Sequence, residues 1–191
     1  MSNYILTANG EIYSCDELYH YGVPGMKWGK RKARYENKYA RKLGRAGRRL
    51  GEADYERAQG EAAYKSHMQT AKTFEKASKQ YEKTGQHFKA EAARRAAEGI
   101  KARGANVKAQ RDQAAAYLES RANKLQEKAS TFASKKRVDL GKNKVDSILS
   151  SNRTKGYENA KRAEEFRKEQ ELRERLGDDG YNTYNKIRGI D

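Results

Sequence analysis

The sequence predicts a mainly α protein: an N-terminal β-hairpin and loop, then several Ala-rich amphipathic helices arranged as a bundle or as extended, coiled-coil-like helices. Three observations carry this. Ala, Glu, Lys, Arg and Leu make up about half of the 191 residues, the mixture typical of long helices. The single proline is Pro24, so nothing of that kind interrupts helical periodicity from about residue 30 to residue 176. Leu, Ile, Val and Phe contribute 10, 6, 4 and 4 residues, about 13% of the chain, and so few β-branched and bulky residues argue against a β-sheet domain or a deep apolar core. Low aliphatic content beside a net charge of +16 would by itself suggest disorder. Helices that pack thinly, or only with a partner, reconcile the two tendencies.

Taken in order, residues 1–31 form a first unit. Tyr4-Ile5-Leu6-Thr7 and Glu11-Ile12-Tyr13-Ser14 flank Ala8-Asn9-Gly10, and Asn-Gly is a strong hairpin signal because both residues tolerate positive φ. A lone two-stranded hairpin is marginal in water, so it should lean on the helices or on another protein. Tyr19 to Arg31 then holds the only Pro, the only Trp and three glycines, a turn-rich loop with large anchors. Charge marks the next boundary: residues 1–26 carry a net −3, residues 27–50 a net +10, and the rest of the chain the last +9.

Residues 32–51 read as a basic amphipathic helix, with Tyr35, Tyr39, Leu43, Ala46 and Leu50 stepping by four, four, three and four along one stripe. Residues 52–176 continue helical, with breaks expected near 85, at 99–104, at 141 and at 151–156. Phe74, Tyr81 and Phe88 recur at seven, as do Leu118, Leu125 and Phe132, with Ala115, Ala122 and Ala129 between them. A last helix from Tyr157 to Leu176 should end at Gly177, leaving a tail, 177–191, in which Tyr181, Tyr184 and Ile187 form a short docking turn. No second copy of any segment recurs at a fixed 34-residue offset, so a solenoid is not expected. Four to six antiparallel helices, or helices that pair between subunits as a homo-oligomer, fit equally.

The basic helix offers the clearest chemistry. Lys30, Lys32, Arg34, Lys38, Arg41, Lys42, Arg45, Arg48 and Arg49 crowd the polar face, and their mutual repulsion is relieved by an anionic surface. A phosphate backbone does this with counterion release, and nothing in the segment reads base edges, so binding to DNA or RNA would be tolerant of sequence. A solvated charged face and an anionic membrane surface remain alternatives. Gly44, Gly47 and Gly51 weaken the helix in isolation but permit close approach to a phosphate backbone or to a neighbouring helix.

Catalytic groupings are poor. Cys15 and His20 lack an orienting acid, and with Asp16 they are too few for a closed zinc site. His67 and His87 read as surface residues, and Glu164, Glu165, Glu169, Glu171 and Glu174 as i, i+4 surface pairs. Gly22, Gly25 and Gly29 do not make a phosphate loop. No enzyme, metal or cofactor is expected, no segment reaches the roughly 18 apolar residues of a membrane span, and one cysteine with no Sec-type leader fits a reducing cytoplasm.

The segment His20-Tyr21-Gly22-Val23-Pro24-Gly25-Met26-Lys27-Trp28-Gly29-Lys30-Arg31 resembles the N-terminal tag of many tailed-phage and prophage proteins encoded among head and structural genes, roughly H-x-G-x-x-G-M-K-W-G-x-R. His20, Gly22, Gly25, Met26, Lys27, Trp28, Gly29 and Arg31 match it; Pro24 and Lys30 depart at variable positions. The resemblance covers residues 17–31 and leaves the fold of the remainder open. It implies phage origin and association with the virion, in the head interior, or with its assembly in the host cytoplasm. In that setting the tag would dock on a capsid, portal or other assembly protein, and the basic helix would contact packaged DNA. An assembly scaffold lost at maturation, and a nucleic-acid-binding accessory protein that is never packaged, are the rival expectations. Trp28 and Met26 on a Gly-hinged loop suit insertion into a groove; alternatively Trp28 packs the hairpin onto the first helix.

Overall fold

Alanine at every seventh position, alternating with larger side chains, decides how the helices pair. In a computed structural model, which describes residues 4–6, 12–14 and 28–188, the protein is mainly α. Strands β1 (Tyr4–Leu6) and β2 (Ile12–Ser14) pair antiparallel, with Ile5 opposite Tyr13. Three helices follow: α1 (Trp28–Lys83), α2 (His87–Lys136) and α3 (Lys142–Arg188). At 1.5 Å per residue α1 is about 84 Å long, and the other two helices pack on it.

Helix α2 returns antiparallel along the whole of α1. Near the turn the Ser78 hydroxyl donates to the Ala90 carbonyl at 2.9 Å. Midway Arg57 forks onto Glu119, and at the far end the Tyr35 and Phe132 rings meet edge to face at 6.2 Å. Helix α3 runs parallel to α1 and lies against its first half, with Leu149 beside Gly47, Arg153 beside Gly51, and Tyr157 edge-on to Tyr55 at 5.4 Å. The core is mostly alanine: Ala46, Ala53, Ala71, Ala115, Ala122 and Ala129 are fully buried, with Leu43 and Tyr55 the larger members. Small side chains let helices approach to the near end of the usual 8–10 Å spacing. Each buries little apolar area, so stabilisation is spread thinly along the length.

Two of the expected breaks are turns and two are not. Thr84-Gly85-Gln86 joins α1 to α2. Residues 137–141 join α2 to α3 through a Schellman-type end, in which the Val138 N–H reaches the Ala133 carbonyl at 2.9 Å. At 99–104 and 151–156 the helices continue without interruption, because Gly104 and Gly156 sit inside a helix and face a partner helix at close range. The basic segment 32–51 is likewise not a separate helix but the first half of α1, and Tyr157–Leu176 is part of α3. Gly177, at φ 68° and ψ 169°, breaks the helical path of α3. The last turns fold back, placing the Tyr181 hydroxyl on Glu169 at 2.5 Å, while Ile187 stays exposed.

Candidate nucleic-acid interface

On α1 the residues buried against α2 and α3 are mostly Ala and Gly with a few larger apolar members, so the long cationic side chains are left for the remaining face. Arg34, Lys38, Arg41, Arg45 and Arg48 step by four, three, four and three, and all five are exposed. They form a single stripe about 21 Å long at 1.5 Å per residue. Two shallow grooves run along it. One, of about 720 Å³, is lined by Arg34, Asn37, Lys38, Arg41, Lys42 and Arg45. The other, of about 580 Å³, lies between Asn37, Arg41, Arg45 and Arg48 of α1 and Ile148 and Asn152 of α3. Among the described residues no carboxylate pairs with any of the five stripe cations.

The other nominated cations divide. Lys42 joins Lys38 over the Phe132 ring, each ammonium 5.5 Å from its centre. Arg49 turns to Glu52 at 2.5 Å and is lost to the stripe. Lys32 is exposed beside Arg34, and the side chain of Lys30 lies outside the described residues. The tag residues His20, Gly22, Gly25, Met26 and Lys27 also lie outside them, as do Cys15 and Asp16; Trp28 and Gly29 enter only as the backbone of the first turn of α1.

The glycines that could have served a phosphate backbone serve α3 instead. A Cβ on Gly47 would stand 2.6 Å from the Leu149 carbonyl oxygen, and one on Gly44 3.1 Å from the Asn152 side chain. Gly51 and Gly156 are closer still to the opposing backbone. The cationic stripe is therefore held on a helix fixed from behind on two sides.

One contribution is not apparent from the sequence taken segment by segment. Lys135, Lys136, Arg137, Lys142 and Lys144, with only Asp139 among them, lie at the α2–α3 turn, and all five cations are exposed. The Tyr35–Phe132 contact brings that turn to the start of α1, and Lys136 places its ammonium 5.5 Å from the Tyr35 ring centre. The signal was the local excess of five cations over one acid, some ninety residues away from the block it joins.

Further along, the three helices meet at a polar junction. Glu164 of α3 is 8% exposed, its Oε1 2.9 Å from Lys168, while Arg111 of α2 lies 3.8 Å from Oε2 and 2.6 Å from Glu56 of α1. Burial pushes the Glu164 carboxyl up, but Lys168, Tyr55 and Arg111 together hold it below the ordinary carboxylate range. The buried Tyr55 hydroxyl, desolvated and beside that carboxylate, is pushed up to about 12. Glu164 thus makes the expected i, i+4 pair with Lys168, but as a buried anchor and not at the surface. His67 is half-buried against Gly104 at the α1–α2 interface, not fully exposed as expected. Among the described residues no group of three or more His, Cys, Asp or Glu could hold a metal ion, and no helix is long and apolar enough to cross a membrane.

Residues 13–35 match a family of unknown function, DUF7211. The match spans the whole His20–Arg31 motif and ends in the first turns of α1. No curated protein and no solved structure matches the chain.

Proposed function

We propose that this chain is a non-enzymatic phage structural protein, held to a capsid or other assembly partner by its N-terminal tag and binding nucleic acid through the phosphate backbone. The observation that carries the binding half is the stripe Arg34, Lys38, Arg41, Arg45 and Arg48: aligned, exposed, fixed on a buttressed helix and unmatched by carboxylates among the described residues. Cations placed this way repel one another, and a polyphosphate removes that cost while releasing counterions. Bulky aliphatic residues are missing from the stripe, which disfavours insertion into a lipid surface. The particle half rests on the His20–Arg31 motif.

A gel-shift or anisotropy titration of the full chain over 50 to 200 mM salt tests binding. With about six or seven phosphate contacts, log K should fall with log salt at a slope of roughly −5 to −6. The variant R41A/R45A/R48A should flatten that slope by about 3. Binding that ignores salt, or that survives this variant unchanged, would overturn the reading. Mass spectrometry of purified virions and proheads tests the particle half. Presence in proheads alone would make the protein a scaffold lost at maturation, and absence from both would remove the structural role.

A further inference from the structure

We infer that the docking surface is composite, formed by the α1 stripe together with the α2–α3 turn, and that its ligand is double-stranded DNA. The inference rests on the phosphate-binding reading above and adds a second element and a partner to it. Three observations support the second element. The turn carries Lys135, Lys136, Arg137, Lys142 and Lys144 within ten residues, all exposed, and the Tyr35–Phe132 contact fixes it beside Arg34 and Lys38. Helix stability accounts for Lys135 and Lys136, which sit in the last turn of α2 where cations favour the dipole, but not for the other three. Lys142 and Lys144 occupy the first turn of α3, which holds no acidic residue of its own and where cations oppose the helix dipole; the Asp139 carboxylate just ahead of it accepts from the Gly141 N–H at 2.8 Å. Arg137 holds a left-handed backbone, φ 50° and ψ 46°, at the position where glycine costs least. Three locally unfavourable choices in succession each keep positive charge at the same end of the bundle.

The nature of the partner follows from the aromatic rings. Single strands are held by stacking bases on exposed rings. At this end of the bundle the described rings, Tyr35, Tyr39 and Phe132, are all half-buried, and Tyr35 and Phe132 are packed on each other, with the ammonium groups of Lys136, Lys38 and Lys42 set against them. Among the described residues the most exposed ring, Phe88 at 86%, lies at the opposite end of α1 and α2. A surface with many cations and, among its described residues, no fully exposed ring suits a duplex, which turns its bases inward and its phosphates out. The 21 Å stripe spans about six base pairs at 3.4 Å each. A helical ridge flanked by cations can follow the mouth of the roughly 12 Å major groove of B-DNA and reach phosphates on both rims, whereas the A-form groove of an RNA duplex is too narrow.

The test compares the full chain, its R41A/R45A/R48A variant and a K135Q/K136Q/K142Q/K144Q variant, each checked by circular dichroism. The probes are a 30-base-pair DNA, one of its strands alone and the matching RNA duplex. The quadruple variant should bind duplex DNA about tenfold or more weakly at 150 mM salt, with a salt slope reduced by 2 to 4. Duplex DNA should be preferred about tenfold over the single strand and over RNA. If only R41A/R45A/R48A loses affinity, the composite surface is refuted and the α1 reading stands. If neither variant loses affinity, the phosphate-binding reading itself fails. Single strand or RNA bound as tightly as duplex DNA would overturn the choice of partner. Acetylation footprinting of the unmutated protein guards against misfolded variants: duplex DNA should protect Lys135, Lys136, Lys142 and Lys144 but not Lys161. Equal labelling with and without DNA at all five would refute the composite surface.

Discussion

Gly51 of α1 and Gly156 of α3 bring their helices into backbone contact. A Cβ on Gly51 would stand 1.8 Å from the Arg153 carbonyl oxygen, and a Cβ on Gly156 2.1 Å from that of Arg48. No side chain can yield at either point, since the obstructing atoms belong to the opposing backbone. Ordinarily a helical Gly→Ala change stabilises by up to about 1 kcal/mol. Here G51A and G156A should each destabilise by about 1–3 kcal/mol or more, because α3 must move off α1. G99A, at an exposed helical position with nothing within 4 Å, should stabilise by up to about 1 kcal/mol. Urea unfolding followed by circular dichroism reads all three, and the opposite signs are the check.

The alanine interface makes a second prediction. Ala122 is fully buried between α2 and α1, whereas Ala116 on the same helix is exposed. A122L adds volume where the helices already touch and should cost about 1–3 kcal/mol. A116L should change stability by less than about 0.5 kcal/mol. Comparable effects of the two would contradict an interface closed by alanine.

These positions also show what the sequence could and could not convey. The seven-residue recurrence of Ala115, Ala122 and Ala129 was legible, because period alone assigns a helical face. Gly104 and Gly156 suggest breaks yet lie inside helices: a helical glycine that admits a neighbouring helix looks, in one sequence, like a glycine that ends one. The cluster at residues 27–50 was legible as charge. Its extension at Lys135–Lys144 was not, since it depends on the long-range contact of Tyr35 with Phe132. Glu164 was hidden among five other glutamates of the same helix, and only packing against Tyr55 and Arg111 distinguishes it.

Glu164 makes stability depend on pH in the acid range. Its folded-state pKa is lowered by Lys168, Tyr55 and Arg111 in spite of burial. The ionised carboxylate therefore stabilises the fold above its unfolded pKa of about 4.3, and that contribution disappears as pH falls through the lower folded-state value. Lys168 is largely exposed, which limits the effect. E164Q should cost about 1–2 kcal/mol at pH 7. The gap in melting temperature between wild type and E164Q should then close as pH is taken from 5 to 3.

Tyr55 acts at the other end of the scale. Burial and the adjacent Glu164 raise its pKa to about 12, above the unfolded value near 10. The protonated hydroxyl contributes stability below pH 10, and the contribution is lost as pH rises from about 10 towards 12. In a phenolate-absorbance titration one tyrosine should lag behind the rest until the protein unfolds. Y55F should abolish the lag and leave the other tyrosines unchanged.

Arg137 separates stability from binding. Its left-handed backbone closes the Schellman end of α2 and buries Val138 over the last turn. A side chain in that conformation costs about 1 kcal/mol relative to glycine. R137G should accordingly raise stability by about 0.5–1 kcal/mol, since the backbone hydrogen bonds of Val138 and Arg137 to Ala133 and Ser134 do not involve the guanidinium. The same change removes a cation from the α2–α3 turn and should lower the salt slope of DNA binding by about 1. A protein that is more stable yet binds less tightly is the expected result, read from thermal melts and salt titrations on the same sample. If R137G were destabilised, a contact of the guanidinium would be holding the turn, and its charge would need no ligand to explain it.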